Sequence, residues 1–305
     1  VDAGLLDSHE RLARSLTAEY QAGDPRVMVP AAVTHADDVL GLWRRNTSDR
    51  RRLEALVVGV NARAGLWAFF EGDLRAAQRY LLAAWGLAAA SGDRGLLAQA
   101  ITASSVLYSR LHAGGHGGEP QEAVALLGQA GELAVHADPH TRLWVATWRA
   151  DEMVAAGDLQ ASQASADAAS QARELLGDDP DVDGWSGVPV VYGLEGRLQT
   201  VRANLAALEG RFDDAEAELG VVLRAALGSD RGQTRALTRI GRVRVQASEP
   251  DGACEALSAG LDLAEPAGYT TGVERVRGVR ARFPKPWAAL SCVRALDERL
   301  APPHR

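Results

Sequence analysis

One lysine, two cysteines and aromatic residues at only 5% of the chain are what this 305-residue sequence holds least of, and each scarcity excludes something. Cys254 and Cys292 lie far apart, with no Cys-x-x-Cys pairing and no histidine at ligand spacing, so neither a zinc site nor a disulfide framework is indicated. Both read as small buried side chains. Sheet-rich folds draw on Val, Ile, Tyr and Thr, whereas the 47% hydrophobic content here is dominated by Ala and Leu, which suits close-packed helices. The fold class is all-α. No uninterrupted apolar run of about 18 residues is present, and the opening Val1-Asp2-Ala3-Gly4 lacks the basic then apolar layout of a secretion signal, so the expectation is a cytoplasmic protein with no membrane partner. The chain opens on Val, which reads as a portion of a longer protein.

Lys285 is the single lysine, so nearly all positive charge is arginine, a bias that GC-rich coding produces without any functional demand. The formal net charge of −7 repels a phosphate backbone, which disfavours direct nucleic-acid binding. No nucleophile elbow, phosphate loop, dinucleotide fingerprint or HExxH motif occurs, so the sequence is read as a non-enzyme without a cofactor.

What is present is a recurring phrase. Gly72, Leu74, Ala77, Leu81 and Ala84 set a pattern repeated by Gly118, Pro120, Ala123, Leu127 and Ala130, and again by Gly157, Leu159, Ser162, Ala166 and Ala169. Gly210, Phe212, Ala215, Leu219 and Val222 form a fourth copy; Ser248, Pro250, Ala253, Leu257 and Gly260 form a fifth, weaker one. Steps of three and four residues put these side chains on one helical stripe, and the opening Gly suits a tight turn between antiparallel helices. Ala at the contact position lets two helix axes approach to about 8–10 Å. Recurrence at helix-pair spacing is the mark of a helical solenoid, which grows by adding neighbours and needs no internal boundary. The organisation expected is one domain over 1–305: an N-terminal helical cap over 1–46, five degenerate copies over 47–265, and capping helices over 266–305.

Along the chain, helices are expected from Leu5 to Gln21, from Pro30 to Asn46, after the capping cluster Thr47-Ser48-Asp49 as far as Phe70, from about Val191 to Leu208, from Thr271 to Arg282 and from Pro286 to Leu300. Arg44, Arg45, Arg50, Arg51 and Arg52 crowd one junction and read as a solvated face, with contact to an anionic partner as the alternative. The Gly-rich stretch with His112 and His116 imposes no metal-binding geometry. Asp179, Asp181, Asp183 and Gly184 imitate the opening of a calcium loop, but Val190 stands where a ligating Glu is needed, so this reads as an acidic linker.

The chemistry that the pattern offers lies on the first helix of each copy. Counting back from each turn residue gives Trp144, Thr147 and Asp151; then Arg197, Thr200 and Asn204; then Arg235, Thr238 and Arg242, with Ser104 and Tyr108 on the equivalent stripe of the second copy. Guanidinium and amide groups one turn apart grip a carboxylate or phosphate. The alternative is that these arginines are solvated or paired with Glu195 and Glu209. Trp144 and Trp148 read either as packing residues or as a ligand cage, with one of the two expected to line a groove.

These copies resemble the second half of a tetratricopeptide repeat (TPR), and Gly65, seven residues before Gly72, matches the small residue inside the first helix of such repeats. Strict repeats recur about every 34 residues; here the intervals are longer, so long inter-repeat loops are expected. The resemblance covers about residues 47 to 265 and implies a right-handed α-solenoid of helix hairpins with capping helices at both ends. Peptide-binding members hold a partner's C-terminal carboxylate at such positions, largely with lysines that are absent here; by this resemblance, Asn204 with Arg235 and Arg239 is the set expected to do so.

Over nearly all of its length, from the N-terminal helical pair through the acidic loop with Trp185 to the ending Val293-Arg294-Ala295-Leu296-Asp297-Glu298-Arg299-Leu300, the chain also resembles the C-terminal half of actinobacterial helix-turn-helix regulators of the xenobiotic-response-element (XRE) type. That resemblance implies a sensor that binds a small molecule or peptide, forms a homodimer, and meets DNA only through an N-terminal helix-turn-helix domain that is absent from this sequence. The expected ligand site comprises Tyr108, Trp144, Trp148, Asp151, Arg197, Asn204, Arg235, Arg239 and Arg242, with no catalytic residue and no metal. The rival reading is a scaffold or adaptor that holds a partner protein.

Overall fold

Asp73, Asp158, Arg211 and Glu249 each follow a residue whose backbone turns left-handed, and that turn organises the molecule. The computed structural model describes residues 3–20, 24–45, 50–109, 120–177 and 194–301. Within them run α1 (Ala3–Tyr20), α2 (Pro25–Arg45), α3 (Arg50–Phe70), α4 (Leu74–Ser91), α5 (Arg94–Ser104), α6 (Pro120–Ala134), α7 (Pro139–Ala156) and α8 (Leu159–Leu176). They continue with α9 (Leu194–Leu208), α10 (Phe212–Ala225), α11 (Asp230–Gln246), α12 (Pro250–Ala264), α13 (Thr270–Arg280) and α14 (Ser291–Leu300). Short 3-10 turns occupy Ser105–Leu107 and Lys285–Ala289. No strand occurs among the described residues, and the protein is all-α. The segments with His112 and His116, with Asp179 to Val190 including Trp185, and the capping cluster Thr47-Ser48-Asp49 lie outside the described residues, as does Gly118.

Four of the recurring turn positions share one geometry. Gly72, Gly157, Gly210 and Ser248 have φ of 86°, 83°, 76° and 65°. At each, the next amide donates to a carbonyl five residues back: Asp73 to Ala68, Asp158 to Met153, Arg211 to Ala206 and Glu249 to Arg244, all at 2.9 Å. The turn residue itself donates three back, to Phe69, Val154, Ala207 and Val245 at 3.1–3.2 Å. This pair of bonds closes a helix and satisfies carbonyls that would otherwise be orphaned at its C-terminus. Asp73 and Asp158 then cap the following helix, accepting from the amides of Ala76 and Ala161.

The stripe that follows each turn is buried as its spacing requires. Ala77, Ala123, Ser162, Ala215 and Ala253 are all inaccessible to solvent, as are Leu81, Leu127 and Leu257. Burying one such Leu contributes about 1.5–3 kcal/mol. Close approach depends on the small residue seven positions before the turn. A Cβ on Gly65 would sit 2.6 Å from Leu81 Cγ, and one on Gly241 would sit 2.8 Å from Leu257 Cδ2.

The chain divides into two compact units, Val1–Leu198 and Gln199–Arg305. In the first, successive helices pack from α1 through α8, with α3 also reaching α5 and α5 reaching α7. Stacked hairpins require such contacts. In the second, α11 packs on α10, α12 and α13, and α12 on α13 and α14. Helix α3 alone among the described helices is long and apolar enough to cross a membrane, yet 89% of its apolar window is buried inside the protein. It is the core helix of the first unit, with the Trp67 ring stacked on Tyr20 at a centroid distance of 3.9 Å.

Two helix starts differ from the sequence expectation. Helix α2 begins at Pro25, not Pro30, because the Asp24 carboxylate and carbonyl accept from the amides of Arg26, Val27 and Met28. Pro25 takes the first helical position, where a missing N–H costs nothing. The last helix begins at Ser291, because Leu290 is extended (ψ 143°) and the Pro286 segment forms a 3-10 turn whose Trp287 packs edge-on against Phe283.

Candidate functional site

Helix α7 carries the densest set of buried functional groups. Its start is fixed by Asp138, whose carboxylate accepts from the Thr141 amide, with Pro139 in the first turn. From Leu143 to Met153 the helix is almost wholly enclosed, so its polar side chains find partners inside the protein. Trp144 and Trp148, one turn apart, meet edge to face at 5.2 Å. Both are buried, each ring against the other, with Arg197 beside both. The Arg197 guanidinium lies 3.8 Å from the Trp148 ring centroid and 5.9 Å from that of Trp144.

Arg197 also donates from Nη2 to Asp151 Oδ2 at 3.1 Å, with both side chains at most 4% exposed. Such a pair costs desolvation that its mutual attraction and the cation–π contact must offset. The next residue, Glu152, is fully buried and accepts a hydrogen bond from the Ser109 hydroxyl. Burial raises the Glu152 carboxyl from 4.5 to about 7, and the neighbouring Asp151 charge adds to the rise; Ser109 and Arg197 oppose it. Among the described residues its Oε2 has no hydrogen-bond partner, nor has Trp144 Nε1. Unmet polar atoms at this depth are costly, and here a carboxyl oxygen and an indole donor belong to one helix.

The corresponding residues of the second unit are arranged differently. Arg242 Nη2 donates to Asn204 Oδ1 at 2.5 Å, and Arg239 Nη1 to Thr200 Oγ1 at 3.3 Å. Asn204, expected to act with Arg235 and Arg239, thus accepts a bond from Arg242 as well. Arg235 is buried, whereas Arg239 and Arg242 are partly exposed. Thr238 returns its hydroxyl to the Thr234 carbonyl at 2.7 Å, and Arg231 lies over the Tyr269 ring at 5.0 Å.

Of the remaining sequence candidates, Tyr108 ends the 3-10 turn after α5 and is half-buried, while Ser104 Oγ reaches the Leu81 carbonyl at 3.4 Å. Glu209, a proposed partner for arginines on the stripe, instead pairs with Arg211 at 2.6 Å. Sequence reasoning missed Glu152 and Ser109. The signal for Glu152 was a second acid beside Asp151 in a segment otherwise built of Trp, Ala, Val and Met; Ser109 offered none. No family model matches the chain, and no curated protein matches it.

Proposed function

We propose that this protein is a ligand-sensing helical-repeat domain, a right-handed α-solenoid of TPR-like hairpins with capping helices, resembling the sensor half of XRE-type transcriptional regulators. What supports this reading above all is that Trp144, Trp148, Asp151 and Arg197, drawn from or beside the register expected to face a ligand, gather into one buried cluster. Two buried polar atoms there, Glu152 Oε2 and Trp144 Nε1, have no partner among the described residues, and a hydrogen-bonding ligand would supply one. A small molecule or peptide with an anionic group would take Arg197 from Asp151, and the released Asp151 would then favour a different packing of α7. A ligand acts as a switch only through such differential affinity for two arrangements. In this reading the protein is a homodimer without enzymatic activity, working in the cytoplasm. DNA contact belongs to a helix-turn-helix domain outside this sequence.

The test is mass spectrometry of the purified protein after denaturation. A polar small molecule released from the wild type and missing from Arg197→Met is the expected result; the same molecule at equal occupancy in both would remove Arg197 from the site. The second reading, a scaffold for a partner protein, draws on the α11 stripe, where Arg239 and Arg242 spend donors on Thr200 and Asn204. It gains if nothing is released from the wild type.

A further inference from the structure

Two thiols separated widely in sequence lie in one apolar cluster between the packed helices α12 and α14. Cys254 lies in the second turn of α12 and Cys292 near the start of α14, and these helices pack together. Both join one apolar cluster with Leu257, Val276, Val293 and Leu296. The thiols are unoxidised, Cys254 being buried and Cys292 partly exposed on the helix packed against it.

The rest of what fastens α14 is modest. This ten-residue helix buries only Val293 and Leu296 fully. Its polar ties are Arg299 to Asp262, Glu265 and the Ser258 carbonyl at 2.9, 3.0 and 3.3 Å, Arg280 to Asp297 at 2.7 Å, and Arg277 to the Leu300 carbonyl at 3.0 Å. Ion pairs this exposed hold little. A covalent link would therefore change how firmly the helix is docked.

We propose that Cys254 and Cys292 are a reversible redox modification site, whose disulfide clips α14 onto α12. The oxidant is a low-molecular-weight disulfide such as glutathione disulfide. The Cys292 thiolate attacks one of its sulfurs, forming a mixed disulfide and expelling one glutathione thiolate. Cys254 then attacks the Cys292 sulfur and expels the second. The protons of both protein thiols end on the two glutathione molecules, so the cysteine pair is oxidised by two electrons and the glutathione disulfide is reduced by two. Order follows from exposure: Cys254 is enclosed, and burial together with the neighbouring Cys292 pushes its thiol up to about 12, so the first attack belongs to Cys292. This inference is independent of the ligand-sensing reading.

The experiment equilibrates the reduced full chain with mixtures of glutathione and glutathione disulfide, blocks free thiols with maleimide under denaturing conditions, and maps peptides. Wild type should lose both thiols to a Cys254–Cys292 link, with Tm raised by about 5 °C and restored by dithiothreitol. Cys254→Ser should stop at a mixed disulfide on Cys292, and folded Cys292→Ser should leave Cys254 unreacted. A wild type that accumulates the mixed disulfide, links two chains, or unfolds at a lower temperature when internally linked would overturn the proposal. Cys292→Ser reacting at Cys254 as fast as wild type would overturn it too.

Discussion

In the first unit the polar stripe is closed by an ion pair, Arg197 with Asp151, enclosed to a few percent exposure; in the second the equivalent closure is a bond from partly exposed Arg242 to the neutral amide of Asn204. The contrast teaches where charge is expensive. Removing one partner of a buried pair strands a charge in low dielectric, whereas removing the partly exposed arginine leaves behind only a neutral amide. Arg197→Ala should therefore lower unfolding stability by about 3–5 kcal/mol, and Arg242→Ala by about 1 kcal/mol. Urea unfolding followed by circular dichroism measures both. Equal losses would mean that the two closures are energetically alike and that burial has not set their cost.

The next largest effect is pH dependence, which should be concentrated in the first unit. Glu152 is raised from 4.5 to about 7 in the fold. The stability tied to its neutral form is complete below pH 4.5 and is lost as pH rises toward 7, because the unfolded chain ionises first. His35, buried against His9 with ring centroids 5.3 Å apart, has the opposite sign: burial lowers it from 6.5 to about 4. Its contribution is complete above pH 6.5 and is lost as pH falls toward 4. Each amounts to about 3 kcal/mol, so the two nearly cancel between pH 4.5 and 6.5. Glu152→Gln should uncover a steep acid loss and His35→Gln a steep loss on the alkaline side, read as Tm against pH. Two variants that follow the flat wild-type curve would show that neither group titrates in that range.

These groups also mark the limit of what the sequence discloses. The turn residues, the buried Ala and Leu that follow them, and Gly65 were readable because each is fixed by local geometry within one hairpin. Trp144, Asp151 and Arg197 were readable as one register, but their mutual pairing was not, since it joins helices on either side of a long segment. Glu152 faces Ser109 for the same non-local reason. The placing of Cys254 and Cys292 in one cluster was hidden because spacing rules see only neighbours in sequence, whereas α13 and its flanking turns return the chain to α12. The Asp24-Pro25 helix start was legible in principle: an N-cap acid followed by a first-position proline is a stronger start signal than Pro30 alone.

A third effect compares the two glycines on which close hairpin packing rests. At Gly65 an added Cβ meets Leu81 Cγ at 2.6 Å and the Leu81 backbone nitrogen at 2.9 Å; at Gly241 the contacts below 3 Å are both with the Leu257 side chain, and the nearest backbone atom is 3.5 Å away. Overpacking of this kind costs about 1–3 kcal/mol, with Gly65→Ala at the upper end because a helix backbone must move. Double-mutant cycles sharpen the difference. Leu257→Ala should relieve most of the Gly241→Ala strain, whereas Leu81→Ala should relieve only part of that from Gly65→Ala. Equal coupling energies in the two cycles would show that the backbone contact adds nothing.

The smallest effect concerns the turns themselves. Ser248 adopts φ 65° at a position where the three other described copies use glycine, and it is the one non-glycine residue with positive φ among the described residues. The hydrogen-bond pattern is unchanged, so at Ser248 the second unit holds under steric strain a turn that both Gly72 and Gly157 of the first unit, and its own Gly210, form without it. A left-handed conformation costs an L-residue about 1 kcal/mol relative to glycine, although glycine also loses more backbone freedom on folding. Ser248→Gly should therefore raise stability by about 0.5–1 kcal/mol, and Gly157→Ser should lower it by a similar amount. Thermal unfolding of the two variants gives opposite shifts if conformation alone governs the turn. Shifts of the same sign would mean that the Ser248 side chain stabilises its turn in a way that the shared backbone geometry does not.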